Sequence, residues 1–193
     1  MSSKLRLISG KRIISPKLDI TRPTTLMVRE ALFNILRQDV PNSNWLDLYS
    51  GTGSISCEAI NHGAKKIFAI EKNRKNTEIC FRNIFSLDKS KNREKDIAVI
   101  KEDVPSWIKS TNKKFYINFP KDFIFDFVYL DPPYQSGYYE DVLKLLAESK
   151  FINEKTTIIC EHSKNVSLSI NNYFKVKDQR VYGQTKLVFL IKI

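Results

Sequence analysis

The chain has 193 residues, of which 42% are hydrophobic and 27% charged, with six glycines and seven prolines. This composition fits a globular domain and excludes an intrinsically disordered or fibrous chain. The three cysteines Cys57, Cys80 and Cys160 lack the spacing of a disulfide framework or a zinc site, so we expect a reducing, cytoplasmic setting and no bound metal. No apolar run reaches the roughly 20 residues of a membrane span, and we expect no membrane partner.

The charge is strongly positive. Lys and Arg number 32 against 21 Asp and Glu, which gives a formal net charge of +11. A charge of this size favours a polyanionic partner, most often nucleic acid, because binding releases counterions from the phosphates. The alternative, a lysine-rich surface that only keeps the protein in solution, stays open at this point.

The first 40 residues predict a basic arm. Residues 4–19 alternate basic and apolar side chains around Ser9-Gly10, which is typical of a β-hairpin with a cationic face. A helix follows to about Gln38, with a threonine at its start to cap it. We therefore assign residues 1–40 to an arm and residues 41–193 to the main domain.

Beyond the arm, strand-like and helix-like runs alternate. Predicted strands are Trp45–Tyr49, Lys66–Glu71, Ile97–Lys101, Phe125–Asp131, Thr156–Glu161, Tyr173–Val181 and Thr185–Ile193, and predicted helices are Ser54–His62, Asn73–Phe85, Val104–Ser110 and Tyr138–Ser149. The last two strands have only three residues between them, so they must pair as an antiparallel hairpin. Alternating βα units that end in such a hairpin predict an α/β protein with an open, doubly wound sheet. Residues 86–96 and 110–122 are expected to be surface insertions.

A glycine turn follows the first strand of the main domain. Gly51 and Gly53 allow the backbone to turn sharply and to approach a ligand closely. A dinucleotide fingerprint would place a third glycine at 56, where this chain has Ser56, so a pyrophosphate at this helix start is disfavoured.

Two acids complete the pattern of an adenosyl site. Glu71 ends the next strand, 20 residues after Gly51, where an acid accepts hydrogen bonds from ribose hydroxyls. Asp103 closes the third strand, where it could accept an amino proton from adenine. A turn without phosphate contacts, followed by these two acids, indicates S-adenosylmethionine, and Asp47 could face its cationic end. The alternative is that these acids are surface and capping residues.

The fourth strand of the main domain ends in Asp131-Pro132-Pro133-Tyr134. Prolines have no N–H but keep their carbonyls, so the segment is a rigid edge of hydrogen-bond acceptors. Such an edge suits an exocyclic amine, whose two N–H donors lie on one nitrogen. Tyr134 offers a face on which a planar base can stack. Holding both protons would direct the nitrogen lone pair at a sulfonium methyl, so proximity and orientation would supply most of the catalysis. The alternative is a plain strand-to-loop turn.

Together these motifs resemble one known family, the RsmD-type 16S ribosomal RNA (guanine-N2)-methyltransferases. The resemblance rests on four segments that span most of the chain: Arg22-Pro-Thr-Thr-x-x-Val-Arg-Glu-Ala-Leu-Phe-Asn-Ile-Leu36, Asp47-Leu-Tyr-Ser-Gly-Thr-Gly53 with Glu58-Ala59, Asp131-Pro-Pro-Tyr134, and Val181-Tyr-Gly-Gln-Thr185.

The resemblance implies the fold of a class I S-adenosylmethionine-dependent methyltransferase: a Rossmann-like, seven-stranded sheet with one antiparallel edge strand. It implies methyl transfer to N2 of one guanine in 16S rRNA, with naked rRNA, the small ribosomal subunit or an assembly intermediate as substrate. Nothing in the sequence calls for a partner chain, so we expect a monomer. Our candidate cofactor residues are Asp47, Tyr49, Ser50, Gly51, Gly53, Glu71 and Asp103, and our candidate catalytic residues are Asp131, Pro132, Pro133 and Tyr134.

The arm carries the candidate RNA contacts, which are Lys4, Arg6, Lys11, Arg12 and Arg22. We expect them to bind backbone phosphates because they cluster in one segment. The family usually continues past Ser-Gly with another glycine and a basic residue, whereas this chain has Arg12-Ile-Ile-Ser-Pro16. The basic and aromatic insertion at 113–121 could add a further RNA contact or be only a loop.

Other functions fit parts of the pattern. Enzymes that methylate adenine or cytosine in DNA, or a protein glutamine, also carry Asn, Asp or Ser before Pro-Pro. A chain this short leaves no room for a sizeable DNA-recognition domain. A non-catalytic RNA-binding assembly factor on the same fold is a further alternative, and the intact Asp131-Pro-Pro-Tyr segment weighs against it.

Overall fold

A computed structural model describes residues 3–15, 24–87, 96–115, 119–133, 138–170 and 172–193. An N-terminal hairpin, β1 (Ser3–Arg6) and β2 (Arg12–Ser15), is followed by helix α1 (Leu26–Ile35). The main sheet contains β3 (Asn44–Leu48), β4 (Lys66–Glu71), β5 (Ile97–Lys101), β6 (Phe127–Leu130), β7 (Thr157–Ser163), β8 (Phe174–Tyr182) and β9 (Thr185–Lys192). Between its first strands lie α2 (Ser54–Asn61), α3 (Arg74–Phe85), α4 (Val104–Lys113) and α5 (Tyr138–Ala147).

The seven strands of the main sheet lie in the order β5-β4-β3-β6-β7-β9-β8. Strands β3 to β7 are parallel to one another, and β9 is antiparallel to both of its neighbours, β7 and β8. The prediction of a seven-stranded sheet with an antiparallel edge is confirmed; the reversed strand itself is β9, one position in from the end.

The strand order reverses direction between β3 and β6. From β3 the chain proceeds outward to β4 and β5, and it then returns to place β6 on the other side of β3. In open α/β sheets the crevice at the carboxyl ends of the strands, at such a reversal, is where ligands bind. The topology therefore points to the ends of β3 and β6 as the place to look for a site.

The two faces of the sheet bury separate apolar clusters. Because side chains alternate along a strand, Trp45 and Tyr129 lie on one face and Leu46 and Val128 on the other. The first face packs against the hairpin, α1, α2 and α3, and the second against α4 and α5. Each strand from β3 to β7 is therefore covered on both sides, as the apolar sequence of the fourth predicted strand indicates.

The hairpin packs on the first of these faces. Leu7 and Ile13 are buried in the same cluster as Trp45, whereas Arg6 and Arg12 are exposed. The alternation of basic and apolar residues thus produces one face that packs on the core and one that faces solvent. The division of the chain at residue 40 stays a prediction.

A buried arginine fastens this hairpin to the helices. The guanidinium of Arg29 in α1 donates to the carbonyl oxygens of Thr24 and Arg6, at 2.5 Å each, and to Oε1 of Glu58 in α2 at 3.3 Å. The same Glu58 oxygen accepts the backbone N–H of Ile8 at 2.9 Å. Since Arg29 and Glu58 are both fully buried, their charges must be paired and hydrogen-bonded in this way.

The expected surface insertion at 110–122 is only partly a surface feature. Helix α4 continues to Lys113, after which Phe115 is buried in the second cluster and the half-buried Phe119 packs against it. The prediction overlooks the four-residue spacing of these rings, which lets them stack on one another. Ring contacts join Phe115, Phe119, Phe123 and Phe125 with Phe68 and Phe151.

Several element ends differ from the sequence prediction by a few residues. Helix α1 ends at Ile35 rather than near Gln38, and β6 spans Phe127–Leu130 rather than Phe125–Asp131. Thr25 caps α1, as the sequence predicts, by accepting the N–H of Val28. Within the described ranges, no helix has both the length and the apolar character that crossing a membrane requires.

Candidate active site

The glycine turn after β3 has the backbone that the sequence predicts. Gly51 and Gly53 have positive φ angles of 54° and 77°, and Tyr49 shares this conformation with φ 63°. Gly53 is the N-cap of α2, and a Cβ there would lie 2.6 Å from Sγ of Cys80. Gly53 is therefore required both for the turn and for close packing of the turn against α3.

Glu71 holds this turn in place. Its Oε2 accepts the N–H of Gly51 at 3.0 Å, and its Oε1 accepts the N–H of Asn73 at 2.7 Å. A carboxylate has about four acceptor positions, so each oxygen keeps capacity for one more donor. The residue predicted to receive a ribose thus also fixes the loop that would surround it.

Asp47 lies beneath the turn and is almost completely buried. Its Oδ2 accepts both the backbone N–H of Ser56, at 3.1 Å, and the Ser56 hydroxyl, at 2.5 Å. Burial raises the pKa of Asp47 from its ordinary 3.8 to about 7, while the Ser56 bonds lower it and nearby Glu71 raises it. Asp47 therefore anchors the start of α2 from below.

Sequence reasoning missed this role of Ser56. The sequence pattern marks position 56 only as the site of a missing glycine, whereas in the structure the Ser56 hydroxyl donates to Asp47. A polar residue in the first turn of a helix, nine positions after an acid that must be buried in a strand, is the signal that could have found it.

Tyr49 and Asp103 lie near each other on the far side of the turn. The Tyr49 hydroxyl is buried and finds no hydrogen-bond partner within the described part of the chain. Its ring meets that of Tyr138 edge-on at 6.4 Å. Burial raises the pKa of Tyr49, and the charge of Asp103 raises it further. Asp103 precedes α4 but makes no side-chain capping bond, so its exposed carboxylate is available to a ligand.

The Asp-Pro-Pro edge begins beside the glycine turn. Leu48 of β3 is aligned with Leu130 of β6, which makes Asp131 the lateral neighbour of Tyr49. Neighbouring strands lie about 4.8 Å apart, so the two segments leave the sheet side by side. Asp131 is partly buried, Pro132 is buried and Pro133 is exposed, whereas Tyr134 lies outside the described residues.

The carboxyl group of Asp131 lies in an acidic environment. Burial raises its pKa well above the usual value, and the charges of Glu161 and Asp47 raise it further. Glu161 follows the end of the adjacent β7 pairing and accepts hydrogen bonds from Tyr129 and Thr24. Sequence reasoning missed the group formed by Glu161, Tyr129 and Thr24. The signal that could have found Glu161 is that two successive predicted strands each end in an acid, Asp131 and Glu161.

The candidate RNA contacts are placed only in part. Arg6 and Arg12 are directly opposite each other in the hairpin, so both side chains lie on its exposed face. Lys11 is exposed, but its ammonium donates to the carbonyl of Ser86 at 2.6 Å, near the end of α3. Arg22 and the side chain of Lys4 lie outside the described residues.

Comparison with known proteins identifies the family. A sequence model of the family described as Conserved hypothetical protein 95 matches residues 5–191. This chain belongs to that family. It is 27% identical over 194 residues to the ribosomal RNA small subunit methyltransferase D of Buchnera aphidicola subsp. Acyrthosiphon pisum, with 98% of this chain and 94% of the relative covered. It is 26% identical over 164 residues to the protein of the same name from Escherichia coli K12, with 83% and 75% covered.

Solved structures show the same fold. A candidate methyltransferase from Escherichia coli superposes with a TM-score of 0.77, covering 98% of each chain at 22% identity. A candidate methyltransferase complexed with S-adenosylhomocysteine superposes with a TM-score of 0.70 at 15% identity, covering 100% of this chain and 56% of the other. The fold is that of a class I S-adenosylmethionine-dependent methyltransferase.

The titration of Asp47 gives a test of this geometry by stability. Because its pKa is raised from 3.8 to about 7, the folded state binds a proton that the unfolded state has released between these values. The contribution of Asp47 to the free energy of unfolding therefore falls as the pH rises from about 4 to about 7. We compare the free energy of unfolding of Asp47→Asn with that of the unaltered protein by urea unfolding. The difference should change in favour of the variant by up to about 1.4 kcal/mol for each pH unit in this window.

The exposed Asp39→Asn is the matched control, since it makes the same chemical change at the surface. Equal pH dependence of the Asp47→Asn and unaltered proteins would contradict the buried, perturbed carboxyl described above.

Proposed function

We propose that this protein transfers a methyl group from S-adenosylmethionine to the exocyclic N2 amine of a guanine in 16S rRNA, either naked or within the small ribosomal subunit or an assembly intermediate. The proposal depends on the alignment of β3 with β6. Because Leu48 is aligned with Leu130, the glycine turn and the Asp-Pro-Pro edge begin next to each other. The names of the relatives support ribosomal RNA of the small subunit as the substrate class.

The residues around the turn fit S-adenosylmethionine. Both oxygens of Glu71 keep capacity for ribose hydroxyls after binding Gly51 and Asn73. Asp103 has an exposed carboxylate for the adenine amino group, and nearby lies the Tyr49 hydroxyl, which has no hydrogen-bond partner among the described residues. When bound, this cofactor supplies an electrophilic methyl group on a positively charged sulfur.

The second half of the site suits the target amine. Pro132 and Pro133 have no backbone N–H, so this edge presents acceptors to an amino group that offers two donors. Together with the Asp131 carboxylate, these acceptors would hold both N–H groups and thereby fix the direction of the nitrogen lone pair. Positioning of this kind can supply most of the rate enhancement that methyl transfer to a weakly basic amine needs. Stacking of the base on Tyr134 stays a prediction.

The hairpin would bind the RNA outside the site. A base in a duplex must leave its stack to reach a pocket, which costs a few kcal/mol. Phosphate contacts would contribute binding free energy that offsets this cost, and the net charge of +11 supports such contacts. Arg6 and Arg12 are the two described residues best placed for this role, because they share one exposed face.

Methyl transfer tests the proposal directly. The protein is incubated with isotopically labelled S-adenosylmethionine and either naked 16S rRNA or small subunits that lack the modification, and the digested RNA is analysed by mass spectrometry. We expect labelled N2-methylguanosine from at least one of these substrates. Asp131→Ala should abolish transfer and leave the Kd of the cofactor within about twofold, since Asp131 faces the amine.

Asp126→Ala is the control, because it removes the same charge at the opposite end of β6 and should retain transfer. Label in adenine, in cytosine or in protein would move the enzyme to another substrate class, and full activity of Asp131→Ala would refute the assigned role of the Asp-Pro-Pro edge. No label in any substrate would favour a non-catalytic assembly factor.

The salt dependence of RNA binding tests the arm. Each phosphate contact on single-stranded nucleic acid or duplex contributes about 0.7 to 0.9 to the slope of log affinity against log salt concentration. The double change Arg6→Ala with Arg12→Ala should therefore reduce the slope by about 1.4 to 1.8, measured by filter binding to 16S rRNA.

Lys65→Ala with Lys155→Ala is the charge-matched control, since both residues are exposed and precede β4 and β7 at the other end of the strands. An unchanged slope in the arginine variant, or an equal loss in both variants, would exclude the hairpin as a specific RNA contact.

A further inference from the structure

Glu161 and Asp131 occupy equivalent places on neighbouring strands. Leu130 of β6 is aligned with Cys160 of β7, so the next residues, Asp131 and Glu161, are lateral neighbours. In parallel strands such neighbours lie on the same face of the sheet, which here is the face of Tyr129. Two carboxylates are thus brought together at the carboxyl edge of the sheet.

The Glu161 carboxylate is held by buried hydroxyl groups. Its Oε2 accepts the Thr24 hydroxyl at 2.8 Å and the Tyr129 hydroxyl, while its backbone carbonyl accepts the hydroxyl of Tyr139 from α5. Thr24, Tyr129 and Glu161 are all buried. Hydrogen bonds that donate to a carboxylate favour its ionised form. The arrangement therefore holds the Glu161 carboxylate at a fixed place beside Asp131.

Thr24 also connects this group to the N-terminal hairpin. Arg29 donates one N–H to the carbonyl of Thr24 and another to the carbonyl of Arg6 in β1, both at 2.5 Å. A continuous series of hydrogen bonds thus runs from the hairpin through Arg29 and Thr24 to Glu161. The position of Glu161 therefore depends on how the arm packs against the sheet.

We propose that Glu161 is a positioning residue for the proton-accepting Asp131 carboxylate, and that Thr24 and Tyr129 hold it at the place from which it acts. The inference rests on the proposed function, because Asp131 matters as a proton acceptor only if an amine is methylated beside it.

The chemistry explains why such a residue is useful. As the amine nitrogen forms its bond to the methyl carbon, the bond from sulfur to that carbon breaks and its electron pair stays on sulfur. The nitrogen must then lose one of its two protons, and the Asp131 carboxylate is placed to take it before passing it to water. A carboxylate of ordinary pKa is a weak acceptor at neutral pH, so raising its pKa improves the transfer.

The surroundings of Asp131 agree with this role. Glu161 lies beside it on β7, whereas Asp47 on β3 is aligned with Tyr129, two residues before Asp131 on its own strand. Burial is the largest cause of the raised pKa of Asp131, the charge of Glu161 is the second and that of Asp47 the third. Glu161 is therefore the neighbour whose neutralisation should change the titration of Asp131 most.

The direct test is titration of Asp131 in the cofactor-free protein by NMR of ¹³C-labelled aspartate carboxyl groups, with Asp131→Asn used to assign the signal. Glu161→Gln removes the charge with little change in shape, so the midpoint of Asp131 should fall by about 1–2 pH units. Thr24→Val and Tyr129→Phe each remove one donor to Glu161 and should lower the midpoint by a smaller amount, because the two carboxyl groups titrate as a coupled pair.

Thr25→Val is the matched control. It makes the same chemical change one residue later and removes the cap of α1, in which the Thr25 hydroxyl accepts the N–H of Val28. It should lower the melting temperature and leave the Asp131 midpoint in place. A midpoint that stays within about 0.3 pH unit in both Glu161→Gln and Tyr129→Phe, both folded by circular dichroism, would overturn the inference.

Kinetics separate this inference from the proposed function. In a plot of kcat against pH, the acid limb reports ionisation of Asp131. In Glu161→Gln this limb should move to lower pH, while the KM for RNA stays within about twofold. Methyl transfer by that variant with an unmoved acid limb would refute the role of Glu161 alone. Absence of transfer by the unaltered protein would refute the proposed function, and the NMR midpoints would still show whether Glu161 controls Asp131.

Discussion

The alignment of β3 with β6 determines where both halves of the proposed site lie. It is produced by the reversal of strand order, which places the end of the first strand of the main domain next to the end of the fourth. The glycine turn and the Asp-Pro-Pro edge are 80 residues apart in sequence, as judged from Gly51 and Asp131, yet they leave the sheet as neighbours. Each half of the proposed reaction has its own segment, and the register of the sheet brings the two together.

Buried acids stabilise the site from behind. Glu71 accepts two backbone N–H groups of the loops, and Asp47 binds Ser56 at the start of α2. These bonds offset the strain of a turn in which Tyr49 has a positive φ angle. The same burial raises the pKa of Asp47 and Asp131, so the groups that shape the site also titrate far from their ordinary range. Stability and chemistry are therefore coupled through the same carboxylates.

Much of this site could be predicted from the sequence, because turn glycines, prolines and strand-end acids are local signals. Gly51, Gly53, Glu71 and Asp131 fall at the expected edge of the expected sheet. The roles of Ser56 and Thr24 could not be predicted, since each depends on a partner that only tertiary packing reveals. The aromatic stretch near Phe115 is predicted to be a surface insertion for a similar reason. Its basic residues obscure the four-residue spacing of the rings, and the rings form an apolar group only when Phe68 and Phe151 pack against them.

A crystal structure with S-adenosylhomocysteine would show whether the ends of β3 and β6 form one site. If the two strand ends form one site, the ribose hydroxyls will bind the Glu71 carboxylate, and the sulfur will lie between the glycine turn and the Asp131 carboxylate with open space for a base beyond it. A ligand bound away from Glu71, or a sulfur separated from Asp131 by packed protein, would show that the two edges do not belong to one catalytic site.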